Sequence, residues 1–129
     1  MLISTKGRYA LAVMIDLAEH NDGSYIPLKD IAQRQEISEK YLESIIVTFS
    51  KGGFLDGVRG KGGGYRLARK PEEYSVGEIL RTAEGSLNTV GCLEGDECGK
   101  AELCRTHRLW INLDEKINSF LDSITLSEL

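Results

Sequence analysis

The sequence predicts a mainly α fold with one small β-hairpin and a long C-terminal helix. Three patterns predict it. Apolar residues recur at helical spacing over most of the chain, two short β-prone runs flank a glycine-rich stretch near residue 60, and a heptad stripe closes the chain. At 129 residues and 41% apolar content the chain suits one domain with an appended helical segment. No run approaches the roughly 20 consecutive apolar residues of a membrane span, and Met1-Leu2-Ile3 gives way at once to Ser4-Thr5-Lys6. A cytoplasmic protein without a membrane partner is expected.

The first helix runs from Thr5 to about Glu19, a broadly apolar stretch ended by the polar turn His20-Asn21-Asp22-Gly23. His20 there reads as a surface residue rather than a ligand. After Tyr25-Ile26, Pro27 opens a second helix with Leu28, Ile31 and Ala32 on one face. Ser38 is a suitable N-cap for a third helix, and Ile37 and Leu42 are placed as a hydrophobic staple across it. Leu42, Ile45 and Phe49 give that helix a buried face, leaving Glu39, Lys40, Glu43, Ser44 and Val47 on the opposite one. Gly52-Gly53 stops it, because glycine accepts the left-handed conformation common at helix ends.

Residues 54–58 and 65–68 are strand candidates around the tip Arg59-Gly60-Lys61-Gly62-Gly63-Gly64. A phosphate cradle is an unlikely use of those glycines, since the Gly-Lys-Ser/Thr ending and a following helix are missing. Charge is unevenly distributed: residues 1–70 carry 11 Lys and Arg against 8 Asp and Glu, whereas residues 71–129 carry 5 against 12. Six cations lie between Lys51 and Lys70 with one anion, Asp56. Such a run suits a polyanion, although alone it is more often a solvated face. Two helices, a turn, a third helix and a basic hairpin follow the order of a winged helix-turn-helix, whose later helix enters the major groove of double-stranded DNA.

Ser75-Val76-Gly77-Glu78 is a capping box for a further helix to about Glu84. Then comes Cys92-x5-Cys98-x5-Cys104-x2-His107, which contains every cysteine of the chain. Three thiols exclude a fully paired disulfide framework, and the polar, glycine-bearing flanks are poor surroundings for buried inert cysteines. Three thiolates and an imidazole supply the four ligands of a tetrahedral zinc or iron-sulfur centre, with a redox-reactive loop as the other reading. The closing segment has Leu103, Trp110, Leu113, Ile117, Phe120 and Ile124 at a and d positions of a heptad. A helix of that span is about 33 Å long and its stripe asks for another surface. Burial against the chain's own core is one solution. A homodimer is the better one, because a two-fold protein can read a two-fold, pseudo-palindromic operator. Catalysis is not expected, since no nucleophile-base or paired-carboxylate constellation stands out.

Five stretches in order carry a resemblance over nearly the whole chain. They are Ser4 to Ala10, Ile37 to Glu43, Val58 to Tyr65, the Cys-Cys-Cys-His loop and Ile124 to Leu129. Together they resemble the IscR-type iron-sulfur cluster regulators of bacteria. The resemblance implies a dimeric winged-helix transcription regulator holding a 2Fe-2S cluster through Cys92, Cys98, Cys104 and His107, with zinc as the alternative metal. It sets residues 1–84 as the DNA-binding domain, with its helix-turn-helix at about 28–51 and its wing at about 54–68. Residues 85–102 become the cluster-binding loop and 103–129 the dimerisation helix.

Base reading is then expected of Glu39, Lys40, Tyr41, Glu43 and Ser44, with Glu43 discriminating operator classes, and Ser38 is expected among the DNA-binding residues. Arg59, Gly60 and Lys61 are expected at the minor groove or backbone, and Lys6 and Lys51 at phosphates. Lys40, Ser50 and Lys61 depart from what is common in relatives and bear on operator sequence. The histidine ligand makes a labile, pH-sensitive cluster suited to sensing. Three rivals use the same residues: a zinc-stabilised constitutive regulator, a thiol-redox or nitric-oxide responsive regulator, and a small iron-sulfur carrier or enzyme-regulating partner that does not bind DNA.

Overall fold

The computed structural model describes residues 3–93, apart from the side chain of Cys92, and residues 103–129. Helices α1 (Thr5–Glu19), α2 (Leu28–Gln35) and α3 (Glu39–Lys51) precede the antiparallel hairpin β1 (Leu55–Val58) and β2 (Gly64–Leu67). Helices α4 (Val76–Glu84) and α5 (His107–Asp122) follow, with short 3-10 turns at Pro71–Glu73, Gly91–Leu93 and Leu126–Glu128.

Each start signal has a physical counterpart. Ser4 caps α1 by accepting from the Gly7 amide, and the Ser4 amide and hydroxyl both donate to Glu84 Oε1 at the end of α4, at 2.9 and 2.6 Å. Ser38 accepts from the Tyr41 amide at 3.2 Å, and Ile37 and Leu42 are both buried beside that cap. Ser75 and Glu78 form the reciprocal capping box of α4. Between α2 and α3 the chain turns through Glu36, which adopts a left-handed conformation at φ 54°.

The core is built where the apolar faces of these helices meet. Ala10, Val13, Met14 and Leu17 of α1 pack with Ile31, Leu42, Ile45, Ile46, Phe49 and Ile79, all essentially inaccessible to water. The hairpin joins this core through Leu55 and Leu67, which face each other in the strand register. Ile26 pairs with Tyr65, adding a single bridge to the free edge of β2. Gly64 is needed at that crossing, because a Cβ there would overlap the Ile26 carbonyl. At the base of the hairpin the buried Tyr74 hydroxyl donates to the Phe54 carbonyl at 2.6 Å and accepts from the Arg69 amide at 2.9 Å.

Two expectations are corrected. The paired strands run over 55–58 and 64–67, so Gly64, expected in the tip, belongs to β2, while Phe54 and Ala68 adjoin the ladder, the Ala68 amide donating to the Phe54 carbonyl at 3.2 Å. The last helix is shorter than the heptad stripe: Leu103 lies in a turn before α5 and Ile124 lies beyond its end. Long-range pairing sets that end. Thr125 bridges Ser75, the Val76 amide donates to the Ile124 carbonyl at 2.8 Å, and the Leu126 amide donates to the Tyr74 carbonyl at 2.9 Å. Apolar spacing continues through this stretch, but its backbone is recruited by the segment entering α4.

Candidate DNA-binding face and ligand loop

Helix α3 divides cleanly. Leu42, Ile45, Ile46 and Phe49 face the core, while Ser38, Glu39, Lys40, Glu43 and Ser44 are exposed on the side away from it. Tyr41 is half-buried and meets the ring of Tyr9 edge-to-face at 5.7 Å. Tyr9 is itself exposed at 37%, and with Thr5, Glu36, Ile37, Ser38 and Tyr41 it lines a shallow depression beside the start of α3. Nothing in the broadly apolar sequence of α1 marks Tyr9 as facing outward, because one aromatic in an apolar helix carries no sign of its direction.

The basic run splits into two groups. Arg66 is committed to structure, donating to the Gly23 carbonyl at 2.8 Å, stacking on Tyr25 and lying 4.0 Å from Asp56. Arg69 is committed as well, pairing with Glu78 at 2.9 Å and stacking over Tyr74 and Phe54. Lys51, Arg59, Lys61 and Lys70 are exposed, and none forms an ion pair among the described residues. Gly60 takes a positive φ of 94° at the hairpin tip between two of them. Lys6 is half-buried in the first turn of α1.

A second group that sequence reasoning passed over holds this face in position. Asp16, 1% exposed in the middle of α1, accepts from Arg34 Nε at 2.9 Å, Arg34 Nη2 at 2.7 Å and Gln35 Nε2 at 2.9 Å. Burial pushes its carboxyl up, but the bonds from Arg34 and Gln35, with the charges of Arg34 and His20, outweigh burial and hold it below the usual carboxylate range. His20 Nδ1 lies 2.8 Å from the Asp16 carbonyl, at the surface as expected. The carboxylate thus ties α1 to the last turn of α2, one residue before the left-handed Glu36.

Of the expected metal ligands, Cys104 and His107 are described. The dimerisation helix was expected from residue 103, which would include Cys104; Cys104 lies instead ahead of α5, and His107 is the first helical residue. The Thr106 hydroxyl, 3.4 Å from Cys104 Sγ, together with the Thr106 and His107 amides outweighs slight desolvation and lowers the thiol below its ordinary value. The Nδ1 atom of His107 is buried without a hydrogen-bond partner among the described residues. A sulfur that favours the thiolate and an unpartnered imidazole nitrogen fit the donor chemistry of a soft metal centre. Cys92 sits in the Gly91–Leu93 turn, its side chain outside the described part, and Cys98 lies outside the described residues. Among the described residues no three His, Cys, Asp or Glu side chains gather as a metal site.

Helix α5 buries none of its residues. Leu109, Leu113 and Phe120 are exposed at 55, 37 and 63%, Leu103 before the helix at 86%, while Trp110 and Ile117 are half-buried. Ile124 does not join that outward stripe: it packs with Val76, Leu80 and Leu87 of its own chain.

The family model for Rrf2, described as an iron-dependent transcriptional regulator, matches residues 3–129. The chain belongs to the Rrf2 family. Within Rrf2 it is of the IscR type: it is 43% identical over its full length to the HTH-type transcriptional regulator IscR of Aliivibrio salmonicida, covering 77% of that protein. It is also 40% identical to IscR of Serratia proteamaculans, covering 79% of it. Among solved structures, T. potens IscR superposes with a TM-score of 0.77 at 41% identity, covering 98% of this chain and 84% of that one. CymR of B. subtilis, titled the global cysteine regulator, superposes at 0.79 with 38% identity, covering 98 and 94%. The mainly helical architecture with its small antiparallel hairpin is that of these winged-helix Rrf2 regulators. The proteins named here are regulators of transcription, not enzymes.

Proposed function

We propose that the chain is a DNA-binding transcription regulator that senses iron-sulfur cluster status through a 2Fe-2S cluster held by Cys92, Cys98, Cys104 and His107. Control of cluster-biogenesis or related genes is the output. The observation that carries the DNA-binding part is the outward side of α3, where Glu39, Lys40, Glu43 and Ser44 stand clear of a rigid core. Arg59, Gly60 and Lys61 are exposed at the hairpin tip. Ser38, Tyr41 and these α3 residues read base edges, Glu43 by accepting from cytosine N4, while Lys6 and Lys51 meet phosphates and the hairpin tip meets the minor groove or backbone. A second copy covers Leu103, Trp110, Leu113, Ile117 and Phe120, which makes the operator pseudo-palindromic.

The cluster reading is supported by the lowered Cys104 thiol and the unpartnered His107 Nδ1. When bound, the cluster would take Cys92, Cys98, Cys104 and His107 as its four ligands. This chain's own contributions are the Thr106 hydroxyl, which favours the Cys104 thiolate, and the start of α5, which fixes His107 close behind it. A second reading, thiol-based redox sensing, is favoured by that same lowered thiol and by the likeness to CymR, one structure of which, from Staphylococcus aureus, is titled an oxidized form.

The test is anaerobic purification, reconstitution with ferrous iron and sulfide, and selection of duplexes from a random pool by both metal-free and reconstituted protein. A visible thiolate-to-iron absorption band lost in Cys92→Ala and different selected sequences for the two forms are expected. Stoichiometric zinc with no such band refutes the cluster. Selection of no sequence by either form refutes DNA recognition.

A further inference from the structure

Helix α5 is amphipathic in an unusual sense. Its apolar residues Leu109, Leu113 and Phe120 point outward, and beside Leu121, which packs on Val76, Leu80 and Leu87, a polar row, Asp114, Asn118 and Asp122 at four-residue spacing, bonds to its own chain. Asp114 Oδ1 accepts from the Thr89 amide at 2.8 Å, and Asn88 Nδ2 donates to the Leu93 carbonyl at 2.9 Å, so the segment leading into Cys92 is registered on α5. Asn118 donates to the Asp114 carbonyl at 2.9 Å and accepts from Arg81 Nη1 of α4 at 2.8 Å. Arg81 Nη2 also donates to Asp122. Opposite Asp122 the α4 residue is Gly77, where a Cβ would meet the carboxylate, so a larger residue there would displace the Asp122 side chain from its present position.

The row continues toward the DNA-binding face. Glu78, on α4, takes Arg69 at 2.9 Å, and Arg69 lies on the rings of Tyr74 and Phe54 at the base of the hairpin. Bonds between elements therefore join Thr89 to α5, α5 to α4 and α4 to the base of the hairpin, with the helical backbone of α5 connecting Asp114 to Asn118 and that of α4 connecting Arg81 to Glu78.

We propose that Asp114 is the positioning residue through which the state of the ligand loop reaches the DNA-binding head, with Arg81 and Gly77 completing the relay in α4. The inference rests on the proposed ligand loop for its input but not for its wiring. Displacement of the 86–93 segment pulls on the Thr89 amide, the carboxylate moves with it, and α5 carries the shift to Arg81. Hydrogen bonds suit this use because they are lost over a fraction of an ångström, whereas apolar contacts slide.

The experiment is amide hydrogen exchange on full-length protein, metal-free and after anaerobic treatment with ferrous iron and sulfide, for the natural chain, Asp114→Ala and Asp114→Asn. The asparagine variant keeps an acceptor for Thr89 and separates a lost contact from a lost charge. In the metal-free proteins Asp114→Ala should speed exchange in residues 86–93 and also in α4 by roughly fivefold, the size of one lost hydrogen bond, with Asp114→Asn near the natural chain. Iron and sulfide should slow exchange in α4 of the natural chain and of Asp114→Asn, but not of Asp114→Ala. Faster exchange confined to residues 86–93, or an α4 response in Asp114→Ala equal to the natural one, overturns the relay. If the natural chain takes up no iron, the cluster reading fails, and the metal-free comparison alone decides the relay.

Discussion

Cutting the Asp16–Arg34 clamp from either side should give unequal costs. Asp16 is 1% exposed, whereas the Arg34 side chain keeps 35% of its surface in water. Arg34→Ala therefore leaves a carboxylate with little access to water and with Gln35 as its remaining side-chain donor. Breaking a buried ion pair in this way costs about 3–5 kcal/mol, and we expect the lower end because Gln35 stays. Asp16→Ala strands a guanidinium that turns to solvent, so its cost is that of the lost charge-assisted bonds discounted for screening, about 2 kcal/mol. The double variant should be less destabilised than the sum, with a coupling of about 1–2 kcal/mol.

Urea unfolding at neutral pH measures all three. The pH dependence follows from the same geometry: the folded carboxyl titrates below its unfolded value, so the stabilisation is complete above about pH 5 and is lost as pH falls through about 4 toward the folded pKa. Asp16→Asn should remove that part of the acid limb. If Asp16→Ala costs more than Arg34→Ala, or both cost under about 1 kcal/mol, the clamp does not hold α1 and α2 together as argued.

Other outcomes are equally specific. Glu36→Gly should raise stability by about 0.5 kcal/mol in urea unfolding, as relief of the left-handed φ exceeds the added freedom of the unfolded chain. Gly64→Ala should cost about 2–4 kcal/mol, because the new Cβ meets backbone that cannot yield, with loss of exchange protection at the Ile26 and Tyr65 amides. Arg59→Ala should weaken binding to a selected duplex and reduce the salt slope by about 1, with the melting temperature unchanged; Arg66→Ala should instead lower the melting temperature.

The elements most legible in the sequence are those whose causes are local. Ser38 and its staple partners lie within six residues of one another, Ser75 reads its own Glu78, and the glycines of the hairpin tip announce a turn. What stayed hidden depends on distant partners. Asp16 meets Arg34 across 18 positions, and nothing in the apolar pattern of α1 distinguishes a buried carboxylate from an exposed one. The heptad stripe ran on to Ile124 because periodicity cannot see the bridge between Ser75 and Thr125. The six cations looked alike until Tyr25, Tyr74 and Glu78 claimed two of them. The outward set on α3 was readable, since three buried positions at helical spacing define the opposite face.

The bridge between Ser75 and Thr125 also limits how α5 can move. A helix attached at one end is a lever, and its tip sweeps an arc when its base turns. Here the Thr89–Asp114 bond lies in the first half of the helix, and the strand-like pairing of residues 124–126 with 74–76 lies just past its end. Fastened at both stations, α5 is closer to an axle: it can roll or slip lengthwise, but it cannot swing away. A roll of one residue's angular step, about 100°, would exchange which side chains face outward, so only small rotations keep Leu113 and Phe120 on one outer seam. In the dimer proposed above, small turns at that seam would change the angle between the two heads rather than the distance between them, and an angle is what the phase of a DNA helix measures.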